Sequence, residues 1–416
     1  MNHATHSHLR STRASHRDGA FRRGERGLTL IELMISVVVG SMLVGFVFDI
    51  HGRMSTAFRA QNNIGSLQQG IRAANELIAR DIRQAGFMMP DGAFVSSAFN
   101  PATSPVVQVV GGNKLVPGFS VFNNPELRGD DQMQPDRVHV FYADPDPNRQ
   151  TVVVGDVTPI SVGVITSSIF LPGELALLVT QDPAPRPHPL GGNMPSVSRY
   201  YACVVEVTGS FGGSSPNGHD ELFFEPSPYN TAANEHCFIP AQTALVDPAA
   251  PGVVGRTQVF HLIARAYRID VTRELLAPLE IDVTGGLLNA WALMGIGFVD
   301  LQITQRFVEE ASDLADPDND GNPRMDWYSA GGPFPPNSHL TQVGIGLVAR
   351  TARQVEGVRA TQIPVLYDLA NNPPRNHNPL GDAVGPKLLA NPEFSGDHVY
   401  RQSSMTVDMR NIGVAF

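Results

Sequence analysis

The clearest cluster of side chains that could do chemistry is the acidic stretch DPDNDGNPRMDW. Asp316, Asp318 and Asp320 alternate along it, a glycine follows, and Asp326 comes five residues after that glycine. Carboxylate oxygens at alternate positions beside a turn-forming glycine suit a calcium ion. An EF-hand would need a glutamate where Trp327 stands. Two interpretations stay open: a calcium loop of another kind that uses Asp326, and a solvated acidic turn.

The remaining candidate catalytic residues show no recognisable spacing. The sequence lacks a G-x-S-x-G elbow, a P-loop, an H-E-x-x-H pair and a dinucleotide-binding fingerprint. His188, His219, His236 and His261 are scattered through the chain. We therefore expect no enzyme activity and no cofactor apart from the candidate calcium ion.

The two cysteines, Cys203 and Cys237, cannot build a zinc site alone, and no C-x-x-C is present. If this part of the chain lies outside the cytoplasm, they can close a disulfide loop of about 35 residues, which stabilises by about 3–4 kcal/mol. The alternative is two separate buried thiols.

Charge is distributed unevenly along the chain. The formal net charge is −10, which argues against a nucleic-acid partner. The first 27 residues run against this trend, because they carry six arginines against two acids, a net +4.

A membrane-length apolar segment follows this basic leader and contains an acid, Glu32. Residues 28–50 would span about 35 Å as a helix, enough for a hydrocarbon core of about 30 Å. The preceding arginines place the leader in the cytoplasm and the rest of the chain outside. A cleaved signal peptide and a plain signal anchor are alternatives, but neither explains a carboxylate inside the segment.

A cut between Gly27 and Leu28 would explain Glu32. The new α-amino group would lie about 6 Å along the helix from Glu32 and would be largely cationic at neutral pH. The carboxylate could pair with its own amine or with that of an adjacent chain, and paired charges are tolerated in lipid.

The stretch RGLTLIELMISVVVGSMLVGF resembles the class III signal of type IV pilins and type II secretion pseudopilins. The resemblance implies that a prepilin peptidase cuts after Gly27 and methylates Leu28, and that Glu32 aligns each subunit with its neighbour. The chain departs from the family at Leu28, where phenylalanine is usual.

A second, amphipathic segment continues the helix. An apolar residue recurs every seven positions, at Ala57, Ile64, Ile71, Ile78 and Ala85. Gly86 and Pro90 predict its end. The stretch LIARDIRQAGFM resembles the corresponding part of PilW-type minor pilins and of PulJ-type pseudopilins.

The rest of the chain is predicted to form a β-rich head with long loops, because short apolar runs alternate with glycine- and proline-rich stretches. The predicted strands are 106–110, 137–142, 151–154, 175–180, 200–207, 221–225, 258–269, 298–303, 342–350 and 405–410. Residues 287–294 suit either a strand or a short helix. Three pieces, 298–307, 342–353 and 400–413, resemble the PilW-type head.

The fold class expected is α+β and pilin-like, a long N-terminal helix packed on a β-rich head. We expect the chain to divide into a cleaved leader at 1–27, a membrane or filament-core helix at 28–50, an amphipathic helix at 51–89 and a head at 90–416.

We expect a minor pilin that takes part in assembly of a type IV pilus or its priming at the tip. The expected partners are other minor pilins, the major pilin, the prepilin peptidase and the inner membrane, which the chain crosses once with its head in the periplasm before entering the pilus. A type II secretion pseudopilin is one alternative, and a pilus-associated adhesin that binds through residues 91–250 is another.

Overall fold

The structure is a computed structural model of the whole chain. It describes residues 29–89, 92–110, 112–123, 135–181, 200–212, 218–232, 234–237, 257–270, 278–309, 325–329, 338–351, 366–367, 376–377 and 399–409. The chain divides into two compact units, Met1–Phe58 and Arg59–Phe416.

A single 55-residue helix, α1 (Leu30–Gln84), contributes to both units. It ends close to the predicted stop, because Gly86 takes a φ of +73°, a conformation that most side chains disfavour. Residues 85–88 form turns, so the helix ends a few residues before the limit of the 51–89 segment expected from sequence.

In the first unit most side chains of α1 are exposed, and those between Leu30 and Phe48 are mainly apolar. None of the residues in its most apolar 18-residue stretch is buried. By length and composition this part of α1 can cross a membrane.

In the second unit α1 buries one face. The stripe consists of Ile71, Ala74, Ile78, Ile82 and Ala85, spaced three and four residues apart. These side chains pack in one core with residues of β strands such as Leu301 and Ile345. The second unit begins inside the helix, at Arg59.

The described residues of the second unit contain twenty strands. The first ten are β1 (Ala93–Phe94), β2 (Gln108–Val110), β3 (Asn113–Val116), β4 (Phe119–Asn123), β5 (Asp136–Ala143), β6 (Gln150–Thr158), β7 (Ser161–Val164), β8 (Leu175–Gln181), β9 (Tyr200–Glu206) and β10 (Gly209–Phe211). The others are β11 (Asp220–Phe223), β12 (Thr257–Ile269), β13 (Leu279–Asp282), β14 (Trp291–Gly295), β15 (Phe298–Glu309), β16 (Met325–Ser329), β17 (Ser338–Arg350), β18 (Leu366–Tyr367), β19 (Asn376–His377) and β20 (Tyr400–Asp408).

Strand β12 organises the larger sheet, which has 14 strands. The beginning of β12 pairs with β8 and β6, and its end pairs with β5 and β13, all antiparallel. A separate four-stranded sheet has the order β16-β15-β17-β20. One long helix and a large β-rich head make an α+β fold.

All ten segments predicted as strands overlap observed strands. The ambiguous segment 287–294 contains the start of a strand, β14, rather than a helix. Pairing with β13 accounts for this outcome, since the neighbouring strand supplies backbone partners that an isolated helical turn would lack.

Two buried carboxyl groups lie where the two sheets meet. Asp136 begins β5 in the large sheet, and its Oδ2 accepts a hydrogen bond from the Ile303 N–H of β15 at 2.6 Å. Asp300, also on β15, accepts at Oδ1 from Gln302 Nε2 at 3.0 Å, while its buried Oδ2 has no hydrogen-bond partner among the residues that the structure describes. Burial raises the pKa of Asp300 to about 7. Burial also raises the pKa of Asp136, and the Asp300 carboxylate adds to that effect.

These shifts predict that the head loses stability as pH rises from 6 to 8. A carboxyl whose pKa is higher in the folded than in the unfolded state stabilises below its unfolded pKa, and this contribution disappears as pH passes the folded pKa. For Asp300 the loss over this range is about 1 kcal/mol. Denaturant titrations of the purified protein at both pH values measure it.

The matched variant for this experiment is Asp300→Asn, which removes the titrating group at nearly constant volume. Burial lowers the pKa of His139 to about 3, so this histidine makes the head more stable as pH rises toward 6.5. Both proteins contain His139, and the difference between their pH dependences therefore reports Asp300. An equal pH dependence in both proteins would contradict the assignment.

Candidate assembly site in the N-terminal helix

The start of α1 is fixed by a threonine cap. The backbone N–H of Glu32 lies 3.3 Å from Thr29 Oγ1 and 3.0 Å from the Thr29 carbonyl oxygen. The Leu33 N–H donates to the same carbonyl at 3.1 Å. The sequence Thr-x-x-Glu is the capping-box pattern, in which a hydroxyl satisfies an N–H that the helix leaves unpaired. The cap therefore places Glu32 in the first turn.

Glu32 is exposed and is the only charged residue between Leu30 and Phe48. A negative charge in the first turn is favourable, because the helix dipole is positive at that end. The carboxylate can accept charge-assisted hydrogen bonds from an ammonium group. This arrangement suits ion pairing with an ammonium group, and it needs no catalytic partner.

The other polar side chains of the apolar segment are satisfied within the helix. Ser36 Oγ donates to the Glu32 carbonyl oxygen, and Ser41 Oγ donates to the Val38 carbonyl oxygen at 2.8 Å. Such bonds remove the cost of placing a hydroxyl in lipid. Within the described residues, the Glu32 carboxylate has no such bond inside the helix and is open to a partner outside it.

At the far end of the segment the next acid already has a partner. Asp49 Oδ2 lies 3.1 Å from Arg53 Nε, one turn further along α1. This pair marks the change from the apolar stretch to the mixed sequence after it. Asp49 therefore ends the apolar segment as one half of an ion pair, whereas Glu32 lies inside that segment.

The sequence analysis missed a second polar site, on the buried face of α1. Asp81 is fully buried, and its carboxylate accepts hydrogen bonds from Tyr142 Oη on β5 at 2.9 Å and from Tyr267 Oη on β12. Arg265 Nη1, also on β12, lies 2.8 Å from Asp81 Oδ2 and 3.0 Å from Oδ1. Burial, and then the nearby Asp81 carboxylate, raises the pKa of both tyrosines, so they remain hydrogen-bond donors.

Backbone hydrogen bonds beside Asp81 fasten the end of the helix to β5. The Gly86 N–H donates to the Phe141 carbonyl oxygen at 2.9 Å, and the Ala143 N–H donates to the Phe87 carbonyl oxygen at 3.0 Å. Together with the Tyr142 side chain, three successive residues of β5 hold the chain at 81–87. One signal for this site was visible in the sequence: Asp81 interrupts the apolar face of an amphipathic helix.

The two cysteines form a disulfide with their Cα atoms 5.7 Å apart. Cys203 lies on β9 and Cys237 ends a short 3-10 turn, Glu235–Cys237. Beside it, His236 Nε2 lies 2.8 Å from the Val204 carbonyl oxygen, and burial lowers the pKa of this histidine. His236 is therefore a neutral, structural side chain that holds the turn against β9.

The candidate calcium loop lies largely outside the described residues, which exclude Asp316, Asp318 and Asp320. Asp326 is placed in β16, and only its backbone is described. Among the residues that the structure describes, no group of three His, Cys, Asp or Glu side chains could hold a metal ion. Calcium binding at 316–326 stays a prediction.

The leader cleavage site, Gly27 and Leu28, also lies outside the described residues, but comparison with known proteins reaches it. Residues 22–48 match the family model of the prokaryotic N-terminal methylation motif. No curated protein and no solved structure matches the chain. The motif covers the last six residues of the leader, which include Gly27, together with Leu28, Glu32 and the apolar start of α1, and it supports a protein of the type IV pilin or pseudopilin class.

Proposed function

We propose that the chain is a minor pilin of the PilW type, a subunit that enters a type IV pilus and acts by assembly rather than catalysis. The observation that carries the proposal is the single acid, Glu32, held in the capped first turn of an exposed apolar helix within the methylation motif. The resemblance of LIARDIRQAGFM and of three head segments to PilW-type proteins supports the finer assignment.

The proposed sequence of events follows from the charges at the start of the helix. A prepilin peptidase removes residues 1–27 and methylates the amine of Leu28. Residues 28–50 then hold the subunit in the inner membrane, with the head in the periplasm. During assembly the carboxylate of Glu32 pairs with the terminal amine of a neighbouring subunit, the major pilin or another minor pilin, and the apolar helix moves from lipid into the filament core.

A pseudopilin of a type II secretion system is the second candidate, because the methylation motif fits both classes equally. The two assignments predict the same processing and the same role for Glu32. They differ in the filament that contains the subunit, so recovery of the chain with sheared surface pili supports the pilus assignment.

Mass spectrometry of the native protein is expected to find an N-terminus at methylated Leu28. The expectation follows from the methylation motif at residues 22–48. The matched control is Gly27→Leu, which should keep the leader and begin at residue 1. A native protein that begins at Met1, or well after Leu28, would overturn the proposed function.

A further inference from the structure

One edge of strand β9 is closed by side chains instead of a neighbouring strand. Strand β8 pairs with β9 along its whole length, from Tyr200 to Glu206. On the opposite edge β1 meets β9 at Cys203, and within the described residues no strand pairs with that edge further along. Backbone groups on this edge, such as those of Val204 and Glu206, therefore need other hydrogen-bond partners.

Two turns supply those partners, and we call them the edge turns (residues 225–232 and 234–237). Asn230 acts as a strand residue would: its Oδ1 accepts from the Glu206 N–H at 2.9 Å, and its Nδ2 donates to the Glu206 carbonyl oxygen at 2.7 Å. His236 Nε2 donates to the Val204 carbonyl oxygen at 2.8 Å. None of these bonds involves a cysteine, so the edge turns can close on β9 while both cysteines are still thiols.

Closure of the edge turns buries both cysteines. Cys203 is 0% exposed and Cys237 is 4% exposed, and both belong to one apolar core with residues such as Leu178, Val205 and Phe224. Thiol–disulfide exchange requires a thiolate that can reach a sulfur atom of the oxidant. An apolar core disfavours the thiolate and blocks that approach. A head that closed with both thiols reduced would therefore protect them from oxidation.

We propose that Cys203 and Cys237 are oxidised before the edge turns close on β9, so that an oxidant carrying a disulfide must act on the open chain. One cysteine thiolate attacks the oxidant's disulfide, which forms a mixed disulfide and releases one oxidant thiol. The second thiolate then attacks the mixed disulfide, forms the Cys203–Cys237 bond and releases the other oxidant thiol. The chain loses two electrons and two protons, and the oxidant gains them.

The compartment of this oxidation rests on the proposed function, which places the head in the periplasm, where disulfides form and persist. The order of oxidation and closure rests on burial alone. A thiol oxidation is therefore the reaction that must precede completion of the head, and with it every later step that uses a folded head.

Oxidation of the purified full-length chain measures this order. The chain is reduced in denaturant, refolded without oxygen and exposed to oxidised glutathione, and its remaining thiols are counted by maleimide labelling. We expect the refolded head to form the disulfide at least about a hundredfold more slowly than the same chain kept in denaturant. Equal rates would overturn the inference, whether the reduced head fails to close or closes with its thiols accessible.

The substitution His236→Ala supplies an independent readout, with His219→Ala as its matched control. His236 holds an edge turn to β9, whereas His219, in the same disulfide loop, packs against Gly155 and Gly163. We expect the first variant to raise the oxidation rate of the reduced, refolded head at least about tenfold and the second to leave it unchanged. Circular dichroism checks that both variants fold, and Asn230→Ser replaces His236→Ala if that variant does not. The same rate in both variants contradicts the role of the edge turns.

The outcomes separate the two proposals. Slow oxidation of the closed head stands even if the native chain begins elsewhere than at Leu28, and in that case the proposed function alone is overturned. Rapid oxidation of the closed head overturns the inference and leaves processing after Gly27 untouched.

Discussion

Asp81→Ala is expected to lower the free energy of unfolding of the head by about 3 kcal/mol or more, because it leaves buried donors without their acceptor. Tyr142, Tyr267 and Arg265 all direct hydrogen bonds at this one carboxylate, which has no exposed surface. Arg265 keeps some contact with water, so most of the loss in free energy of unfolding comes from the two tyrosine hydroxyls, which are left without an acceptor. Denaturant unfolding of the purified protein measures the change.

Glu76→Ala is the matched control for this experiment. Glu76 lies on the same helix, five residues earlier, and is exposed. Its replacement should change the free energy of unfolding by less than about 0.5 kcal/mol. Asp81→Asn gives an intermediate test, since the amide oxygen still accepts a hydrogen bond while the charge opposite Arg265 is lost. Equal stability of Asp81→Ala and Glu76→Ala would show that the network does not hold the helix.

Glu32→Ala is expected to leave cleavage after Gly27 intact and to reduce incorporation into filaments by about a hundredfold. The estimate corresponds to about 2–3 kcal/mol, the scale of a charge-assisted hydrogen bond in a poorly hydrated environment. The reason is that the carboxylate is the one charged partner that residues 30–48 offer to a terminal amine. Immunoblots of sheared filaments and of the membrane fraction measure the ratio.

Asp49→Ala is the control for position within the apolar segment. Asp49 already pairs with Arg53 on its own helix, so its loss should change incorporation little. Glu32→Asp tests geometry, because a shorter carboxylate in the same capped turn should restore part of the incorporation. Normal incorporation of Glu32→Ala would contradict the ion-pairing role.

The sequence predicted those parts of the fold that local pattern controls. The seven-residue repeat from Ala57 to Ala85 predicted the helix, and glycine at 86 predicted its end. Alternating apolar residues located the long strands, including β12 and β17, because each buries one face.

The sequence did not predict what depends on distant partners. The ligands of Asp81 lie 61, 184 and 186 residues further along the chain, so nothing near Asp81 indicates a tyrosine or an arginine beside it. Sequence reasoning left the pairing of Cys203 with Cys237 open for the same reason, since it depends on packing of the 3-10 turn against β9. For 287–294 the pairing with strand β13 determines the conformation, and the spacing of apolar residues within the segment does not indicate it.

The attachment of residues 81–87 to three successive residues of β5 has a geometric consequence. Apolar side chains alone would let this end of the helix turn about its axis or slide by a fraction of a turn at modest cost. A carboxylate held by three side chains and flanked by two backbone hydrogen bonds permits neither movement without losing several directional bonds. The end of the helix therefore has one rotation about its own axis in the head. The direction in which each side chain of residues 59–84 points is then fixed relative to the β sheets.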